Sequence, residues 1–204
     1  YPSGVTNFAY DARRSVAADS KVLIGIAAAR LIPDNSSVIL NIGTTTEQVA
    51  TALRRHQGLM VITNNINVAN ILRDAPSAEV VISGGLVRHS DGGIMGEATV
   101  DFIRQFKVDF AVIGASAIDR DGSILDYDFR EVKVSQAIIA QARKTILVSD
   151  SLKFERTAPV RIADLSMIDV FVTEVEPPRE IVDYCRAHDV ELIIAGPMAA
   201  EQAA

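Results

Sequence analysis

The stretch Val38-Ile39-Leu40-Asn41-Ile42-Gly43-Thr44-Thr45-Thr46 contains the pattern on which the rest of the chain is built. Its first five residues form a short apolar run rich in β-branched side chains, which is typical of a buried strand. Gly43 then permits a tight turn, and a helical pattern follows to about residue 55. A strand, a glycine turn and a helix in this order indicate one unit of a parallel α/β sheet.

The same alternation recurs along the chain. Apolar runs predict further strands at 59–62, 80–82, 110–113, 145–148, 170–172 and 190–194. Helical periodicity predicts helices at 16–32, 67–73, 98–105, 129–142 and 180–187. Short apolar strands separated by helices are typical of parallel strands that are covered on both faces. We therefore predict a doubly wound α/β fold, with a mostly parallel sheet and helices on both faces.

Composition narrows the class of protein. The 204 residues, 49% of them hydrophobic and 23% charged, suit one globular domain and exclude a disordered or collagen-like chain. A net charge of −6 disfavours non-specific binding of nucleic acid, because phosphates repel an acidic surface. The single cysteine excludes an internal disulfide and favours the cytoplasm. The longest apolar run, 22–29, is far below the roughly 18 residues of a membrane span, so no membrane partner is expected.

Three segments are expected along the chain. Residues 1–15 contain Pro2 and Gly4 and have no apolar period, so we predict a linker or arm there. Residues 16–197 form the predicted domain, and 198–204 form a tail that we expect to fray. The chain starts with Tyr1 rather than methionine, so we expect a further segment upstream.

The residues that follow each predicted strand are the candidates for a binding site, because ligands of open α/β sheets bind beyond the carboxyl ends of the strands. Gly43, Thr44, Thr45 and Thr46 follow the first strand and begin a helix. Free N–H groups and hydroxyls at a helix start suit a phosphate. An ordinary helix cap is the alternative, and Glu47, an anion at the same helix start, weighs against a phosphate.

Polar and glycine residues also follow the second and third strands. Thr63, Asn64 and Asn65 can bind ligand hydroxyls, although plain turn and cap chemistry is the alternative. Gly84 and Gly85 allow the backbone to approach a ligand closely, or simply form part of a flexible surface loop.

Charged residues complete the predicted rim. Arg88 is a candidate fork for a phosphate, or else a solvated arginine. Asp128 and Glu131 share a helix face and can accept hydrogen bonds from ligand hydroxyls, or form a variant capping box. Lys153 can point into the crevice and hold the phosphate, or lie in solvent. Cations can bind a phosphate group, and carboxylates can bind hydroxyl groups. Their combination at one rim favours a small polyol phosphate as the ligand. Nucleotide-binding glycine motifs are missing from the sequence.

Several segments, in this order, resemble the effector-binding domain of the DeoR family of bacterial transcriptional regulators. The resemblance covers about residues 13–174 and rests on the segments 41–45, 61–65, 83–85, 96–98, 109–115, 121–123 and 150–154. Three stretches are similar to one branch of the family in particular, namely 64–70, 91–99 and 126–139.

The resemblance implies a non-enzymatic repressor whose N-terminal winged helix-turn-helix binds operator DNA. It implies that a phosphorylated sugar or polyol, glycerol-3-phosphate in the branch just described, binds the C-terminal domain and releases the DNA. It further implies a homo-oligomer, dimer or tetramer, that needs no cofactor, no metal and no catalytic residue. The winged helix is not recognisable in this sequence, so operator DNA is expected to bind only through a domain that precedes residues 1–15.

The family's effector fold is also similar to that of ribose-5-phosphate isomerase, which gives the alternative function. Such an enzyme moves a proton beside a carbonyl and needs a general base with nearby acids. The acidic motif of that enzyme would align with residues 113–117, which contain no acid here. Glu131 and Lys153 remain as possible groups, but we expect a site that holds a sugar phosphate without transforming it.

Overall fold

The computed structural model describes residues 3–196, with side chains from residue 16 onward. The helices are α1 (Ser3–Arg30), α2 (Thr44–Leu53), α3 (Ile66–Leu72), α4 (Glu97–Ile103), α5 (Phe129–Ala140) and α6 (Arg179–Ala187). The strands are β1 (Ser37–Leu40), β2 (Leu59–Thr63), β3 (Ala78–Ile82), β4 (Leu86–Val87), β5 (Ile94–Met95), β6 (Val108–Ile113), β7 (Ala117–Ile118), β8 (Ser123–Asp126), β9 (Ala142–Val148), β10 (Val160–Asp164), β11 (Val170–Thr173) and β12 (Glu191–Ile194). Each helix and strand that the sequence predicted is present.

A seven-stranded sheet in the order β12-β11-β9-β6-β1-β2-β3 forms the centre of the fold. All neighbouring strands in it are parallel. At the middle of the sheet, Val38 of β1 lies between Val61 of β2 and Phe110 of β6. The predicted doubly wound, mostly parallel sheet is confirmed.

Helices cover both faces of this sheet, as predicted. Val38 and Leu40 of β1 pack in one core with α1, α2 and α3, while Ile39 packs in a second core with α4, α5 and α6. Successive side chains of a strand point to opposite faces, so one strand contributes to both cores. The core positions of β1 are fully buried, which explains why its sequence reads as a continuous apolar run.

Two small antiparallel sheets, which the sequence did not predict, are added to the central one. The hairpin β4–β5 follows β3 in the chain. The three-stranded sheet β10-β8-β7 is formed by two strands that follow β6 and one that follows β9. Strands of two residues, such as β4, β5 and β7, are too short to show an alternating pattern. These additions bring Arg88 and Asp126 to the carboxyl edge of the central sheet.

The first helix is longer than predicted. The sequence placed its start at Val16 and a linker at 1–15, whereas α1 is helical from Ser3. Residues 1–15 show no apolar period in the sequence, which is why the helix was not predicted there. Whether residues 1–15 connect two domains stays a prediction, and the tail 198–204 lies outside the described residues. None of the helices in residues 3–196 combines the length and apolarity that crossing a bilayer requires.

The helices α1 and α2 pack unusually close together. A Cβ added at Gly25 of α1 would lie 2.7 Å from the carbonyl carbon and oxygen of Gln48 in α2. No side chain fits at that distance, so only glycine allows this approach of the two backbones.

Candidate functional site

A cavity of about 310 Å³ lies at the carboxyl ends of β1, β6 and β9, where ligands of this fold class bind. This volume is at the small end of the roughly 300–1,000 Å³ range of ligand pockets. The structure brings eight of the predicted site residues to this cavity: Gly43, Thr44, Thr45, Thr46, Arg88, Asp128, Glu131 and Lys153. It also places residues there that we did not predict, including Asp91, Gly114, Ser116, Asp126 and Ser149.

One end of the cavity is formed by the start of α2. Gly43 precedes the helix with φ 139°, which favours glycine, and no side chain caps the helix. The first N–H groups of a helix have no acceptor within it, so this end carries free donors and partial positive charge. Thr46 adds a fully buried hydroxyl that has no hydrogen-bond partner within residues 16–196. Buried polar groups of this kind normally have a partner, so this end suits a bound anion.

Glu47, which weighed against a phosphate, does not line the cavity. Its carboxylate accepts a hydrogen bond from the side-chain amide of Asn65 at 3.4 Å. Burial raises the pKa of Glu47 above its ordinary value, and this hydrogen bond partly offsets the effect of burial. The start of α2 is therefore open to an external anion.

Lys153 is brought to the lining of the same cavity by a short 3₁₀ helix, Ser151–Glu155. Asp150 caps this helix by accepting a hydrogen bond from the N–H of Leu152 at 3.0 Å. The ammonium of Lys153 is partly buried and forms no ion pair with any carboxylate in the described part of the chain. Burial lowers its pKa below the ordinary value. A desolvated cation without a partner favours binding of an anion.

Arg88 differs from the prediction in its contacts. Its Nε donates to Asp91 at 2.9 Å, and one Nη donates to Asp128 at 3.1 Å and approaches the sulfur of Met95 at 3.6 Å. The other Nη donates to Glu131 at 2.9 Å and to the second oxygen of Asp91. These contacts engage all five N–H donors of the guanidinium, and the bond to Asp91 contributes most to raising the pKa of Arg88. The predicted role of Arg88 as a phosphate fork is not supported, because four of its donors are already taken by carboxylates and the fifth faces the sulfur of Met95.

Asp128 begins α5 as the capping residue that we considered as the alternative. One carboxylate oxygen accepts a hydrogen bond from the N–H of Arg130 at 2.9 Å, and the other accepts from Arg88. Burial raises the pKa of Asp128, but the N–H and charge of Arg130 and the charge of Arg88 outweigh burial and lower its pKa overall. Both oxygens are therefore engaged, which leaves Asp128 little capacity for a ligand hydroxyl.

Glu131 and Asp126 add two carboxyl groups to the lining of the same cavity. Glu131 is buried, and burial together with the charge of Asp126 raises its pKa to about 7, although Arg88 lowers it. Asp126 is also buried, and one of its oxygens accepts bonds from Ser116 Oγ at 2.9 Å and from the N–H of Tyr127 at 2.7 Å. Asp126 was missed because it ends a short antiparallel strand. Its position two residues before Asp128 was the available signal.

The predicted hydroxyl-binding residues at the end of β2 and just after it lie outside the cavity and are fully buried. Thr63 donates to the carbonyl of Leu40 at 2.7 Å, and Asn64 donates to the carbonyl of Ile94 at 3.1 Å. The Asn65 side chain caps α3 by accepting from a backbone N–H at 2.9 Å. These side chains satisfy backbone groups between strands, which is the alternative that we gave for them.

Gly84 and Gly85 also lie outside the cavity. Gly85 has φ 139°, and a Cβ there would lie 2.8 Å from a methyl group of Ile94 and 3.1 Å from the hydroxyl of Thr99. A Cβ on Gly84 would meet nothing within 4 Å. Gly85 therefore allows the chain to enter the β4–β5 hairpin, and the structure gives neither glycine a contact with the cavity.

A doubly wound domain with one mixed-charge cavity at its carboxyl edge belongs to the class of small-ligand-binding α/β domains. Residues 16–175 match the model of the DeoR C terminal sensor domain. The chain belongs to the DeoR family, as the resemblance had implied.

Relatives with known names agree with this assignment. The chain is 45% identical over 193 residues to a glycerol-3-phosphate regulon repressor of Haemophilus influenzae, covering 95% of this chain and 75% of that protein. It is 41% identical over 191 residues to the glycerol-3-phosphate regulon repressor of Escherichia coli, covering 94% and 76%. These relatives are named as transcriptional repressors.

Solved structures agree on the fold alone. The translation initiation factor eIF-2B of Pyrococcus horikoshii has a TM-score of 0.53 at 17% identity, over 80% of this chain and 65% of that one. Ribose 5 phosphate isomerase A of Neisseria gonorrhoeae has a TM-score of 0.49 at 11% identity, over 67% and 53%. That score is too low to support any inference about function.

Proposed function

We propose that this chain is the effector-sensing domain of a transcriptional repressor and that its cavity binds a small phosphorylated polyol, glycerol-3-phosphate. The observation that carries the proposal is the pairing of an uncapped α2 start with a lysine that lacks an ion-pair partner within the described residues, in one small cavity. The names of the repressors at 41–45% identity support the choice of glycerol-3-phosphate.

In this proposal the phosphate binds at the start of α2. The N–H groups of Gly43 to Thr46 donate to its oxygens, and the hydroxyl of Thr46 gains the partner that it lacks. Lys153 supplies a charge-assisted contact whose strength increases with its partial burial. Thr44 and Thr45 add hydroxyl donors at the same helix start.

The polyol hydroxyls then extend toward the carboxylates. Glu131 is the predicted residue best suited to accept them, because only one of its oxygens is held by Arg88. Binding that favours one arrangement of the domain would shift the equilibrium between DNA-bound and free repressor. Operator DNA would be bound by a winged helix-turn-helix outside this domain, in a cytoplasmic homo-oligomer.

Calorimetric titration with glycerol-3-phosphate tests the proposal. A Lys153→Met and Thr45→Val double variant should bind at least about tenfold more weakly, because a charge-assisted hydrogen bond is worth about 1.5–3 kcal/mol. A matched control is Lys144→Met with Thr51→Val, since both of these residues are exposed and lie away from the cavity. Unchanged affinity in the first variant, or no binding by the parent protein, would contradict the proposal.

An isomerase activity is the second candidate, and the presence of a buried carboxyl group, Glu131, in the cavity lining is the observation in its favour. A buried carboxyl with a pKa of about 7 is suited to act as a general base near neutral pH. The same carboxyl is bound to Arg88, and residues 113–117 contain no acid to assist it. Conversion of ribose-5-phosphate by the purified protein, lost in Glu131→Gln, would establish this alternative in place of a sensor without catalysis.

A further inference from the structure

The cavity contains more negative than positive side chains, which is unexpected for a site proposed to bind an anion. Its cations are Arg88 and Lys153, whereas its carboxyl groups are Asp91, Asp126, Asp128 and Glu131. Three of these carboxylates are bound to Arg88, so the guanidinium is neutralised by the chain itself. Only the α2 start and Lys153 remain to attract an anionic group.

Two carboxylate oxygens in the cavity have no hydrogen-bond donor within residues 16–196. Asp126 uses one oxygen for Ser116 and Tyr127, and its other oxygen accepts no hydrogen bond. Glu131 uses one oxygen for Arg88 and leaves the other without a donor. Both side chains are buried and close enough for the charge of Asp126 to raise the pKa of Glu131. The two free oxygens are not fully buried, so they are open to the cavity and can accept hydrogen bonds from the hydroxyl groups of a ligand.

We infer that Asp126 and Glu131 determine specificity, and that the cavity accepts ligands with one anionic end and a hydroxyl-bearing end while rejecting ligands that are anionic at both ends. This inference rests on the proposed function and names the ligand class of the same site. A hydroxyl donates to either free oxygen. A second phosphate or a carboxylate would face two buried negative charges and donate nothing.

The side chain of Asp126 is held in place by its hydrogen bonds. The hydroxyl of Ser116 and the N–H of Tyr127 both donate to one oxygen, so the other oxygen is fixed in direction. An asparagine can accept the same two bonds with its amide oxygen while removing the charge. Asp126→Asn therefore changes the charge of the site with little change in its shape.

The test compares glycerol-3-phosphate with 3-phosphoglycerate, which has the same phosphate but a carboxylate in place of the terminal hydroxymethyl group. Titrations at about pH 8 keep Glu131 mostly ionised, given its pKa of about 7. The parent protein should bind 3-phosphoglycerate at least about tenfold more weakly than glycerol-3-phosphate, as expected for like charges at short range. Asp126→Asn should reduce that ratio several-fold, and Glu131→Gln should reduce it as well. Asp101→Asn, at an exposed position on α4, should leave the ratio unchanged.

The outcomes separate this inference from the proposed function. If neither compound binds the parent protein, the proposed function fails and the inference fails with it. If both compounds bind with similar affinity, the phosphate site stands and the inference is overturned. If 3-phosphoglycerate binds more weakly but neither Asp126→Asn nor Glu131→Gln changes the ratio, the assignment to these two residues is overturned. Thermal unfolding of each folded variant confirms that a changed ratio reflects the site.

Discussion

Replacing Glu131 with glutamine should change how the stability of the domain depends on pH. Glu131 is buried beside Asp126, and its pKa of about 7 lies well above the ordinary 4.5. Below pH 4.5 the carboxyl is protonated in both the folded and the unfolded chain. As the pH rises from 4.5 to about 7, the unfolded chain loses this proton while the folded protein retains it. Stability from this group is therefore greatest at low pH and is lost as the pH rises through about 7.

The size of this effect follows from the shift in pKa. One pKa unit corresponds to about 1.4 kcal/mol, so the shift of Glu131 is worth about 3 kcal/mol between its two limits. Glutamine has no proton to lose and can still accept a hydrogen bond from Arg88. Relative to the parent protein, Glu131→Gln should therefore gain up to about 3 kcal/mol of unfolding free energy between pH 4.5 and 8.

Urea denaturation of the two proteins at a series of pH values measures this difference. Contributions from titratable groups that lie far from Glu131 cancel when the two curves are subtracted. Glu155→Gln, at an exposed position, is the control and should follow the parent protein at every pH. A difference that stays flat, or that moves against the glutamine variant as the pH rises, would mean that the ion pair with Arg88 outweighs burial. The reasoning about Glu131 would then be refuted.

Two further substitutions test the structure around the cavity. Gly85→Ala should destabilise the domain by about 1–3 kcal/mol, because φ is 139° and the new methyl group meets Ile94 at 2.8 Å, whereas Gly84→Ala should change stability by less than about 0.5 kcal/mol. Equal urea midpoints for these neighbours would contradict the described turn. Asn65→Ala should cost about 1–2 kcal/mol through loss of the α3 cap, and an unchanged midpoint would show that the cap contributes nothing.

The central sheet could be predicted from the sequence because its strands are buried on both faces. The apolar run 38–42 predicted strand β1 with an error of at most two residues at either end. The glycine after it correctly predicted the turn into α2. The hairpin β4–β5 and the sheet β10-β8-β7 could not be found in the same way. Their strands are short and antiparallel, so their partners are set by tertiary contacts rather than by an apolar pattern.

The candidate site was predictable to the extent that it follows from topology. The ends of parallel strands meet at one edge, so Thr45 and Lys153 could be placed together although they are distant in sequence. Residue type alone could not separate a side chain that faces the cavity from one that satisfies the backbone beneath it. Asn64 and Arg88 illustrate this, because their side-chain N–H groups donate hydrogen bonds to residues that are distant in the sequence and close only in the folded chain.

The close approach of α1 and α2 at Gly25 has a mechanical consequence. With 2.7 Å between the position of a Cβ on Gly25 and the backbone of Gln48, the two helix backbones lie directly against each other at this point. Packed interiors are stiff and transmit small shifts over their length. A small displacement of the first turn of α2 would therefore be transmitted to α1 through this contact.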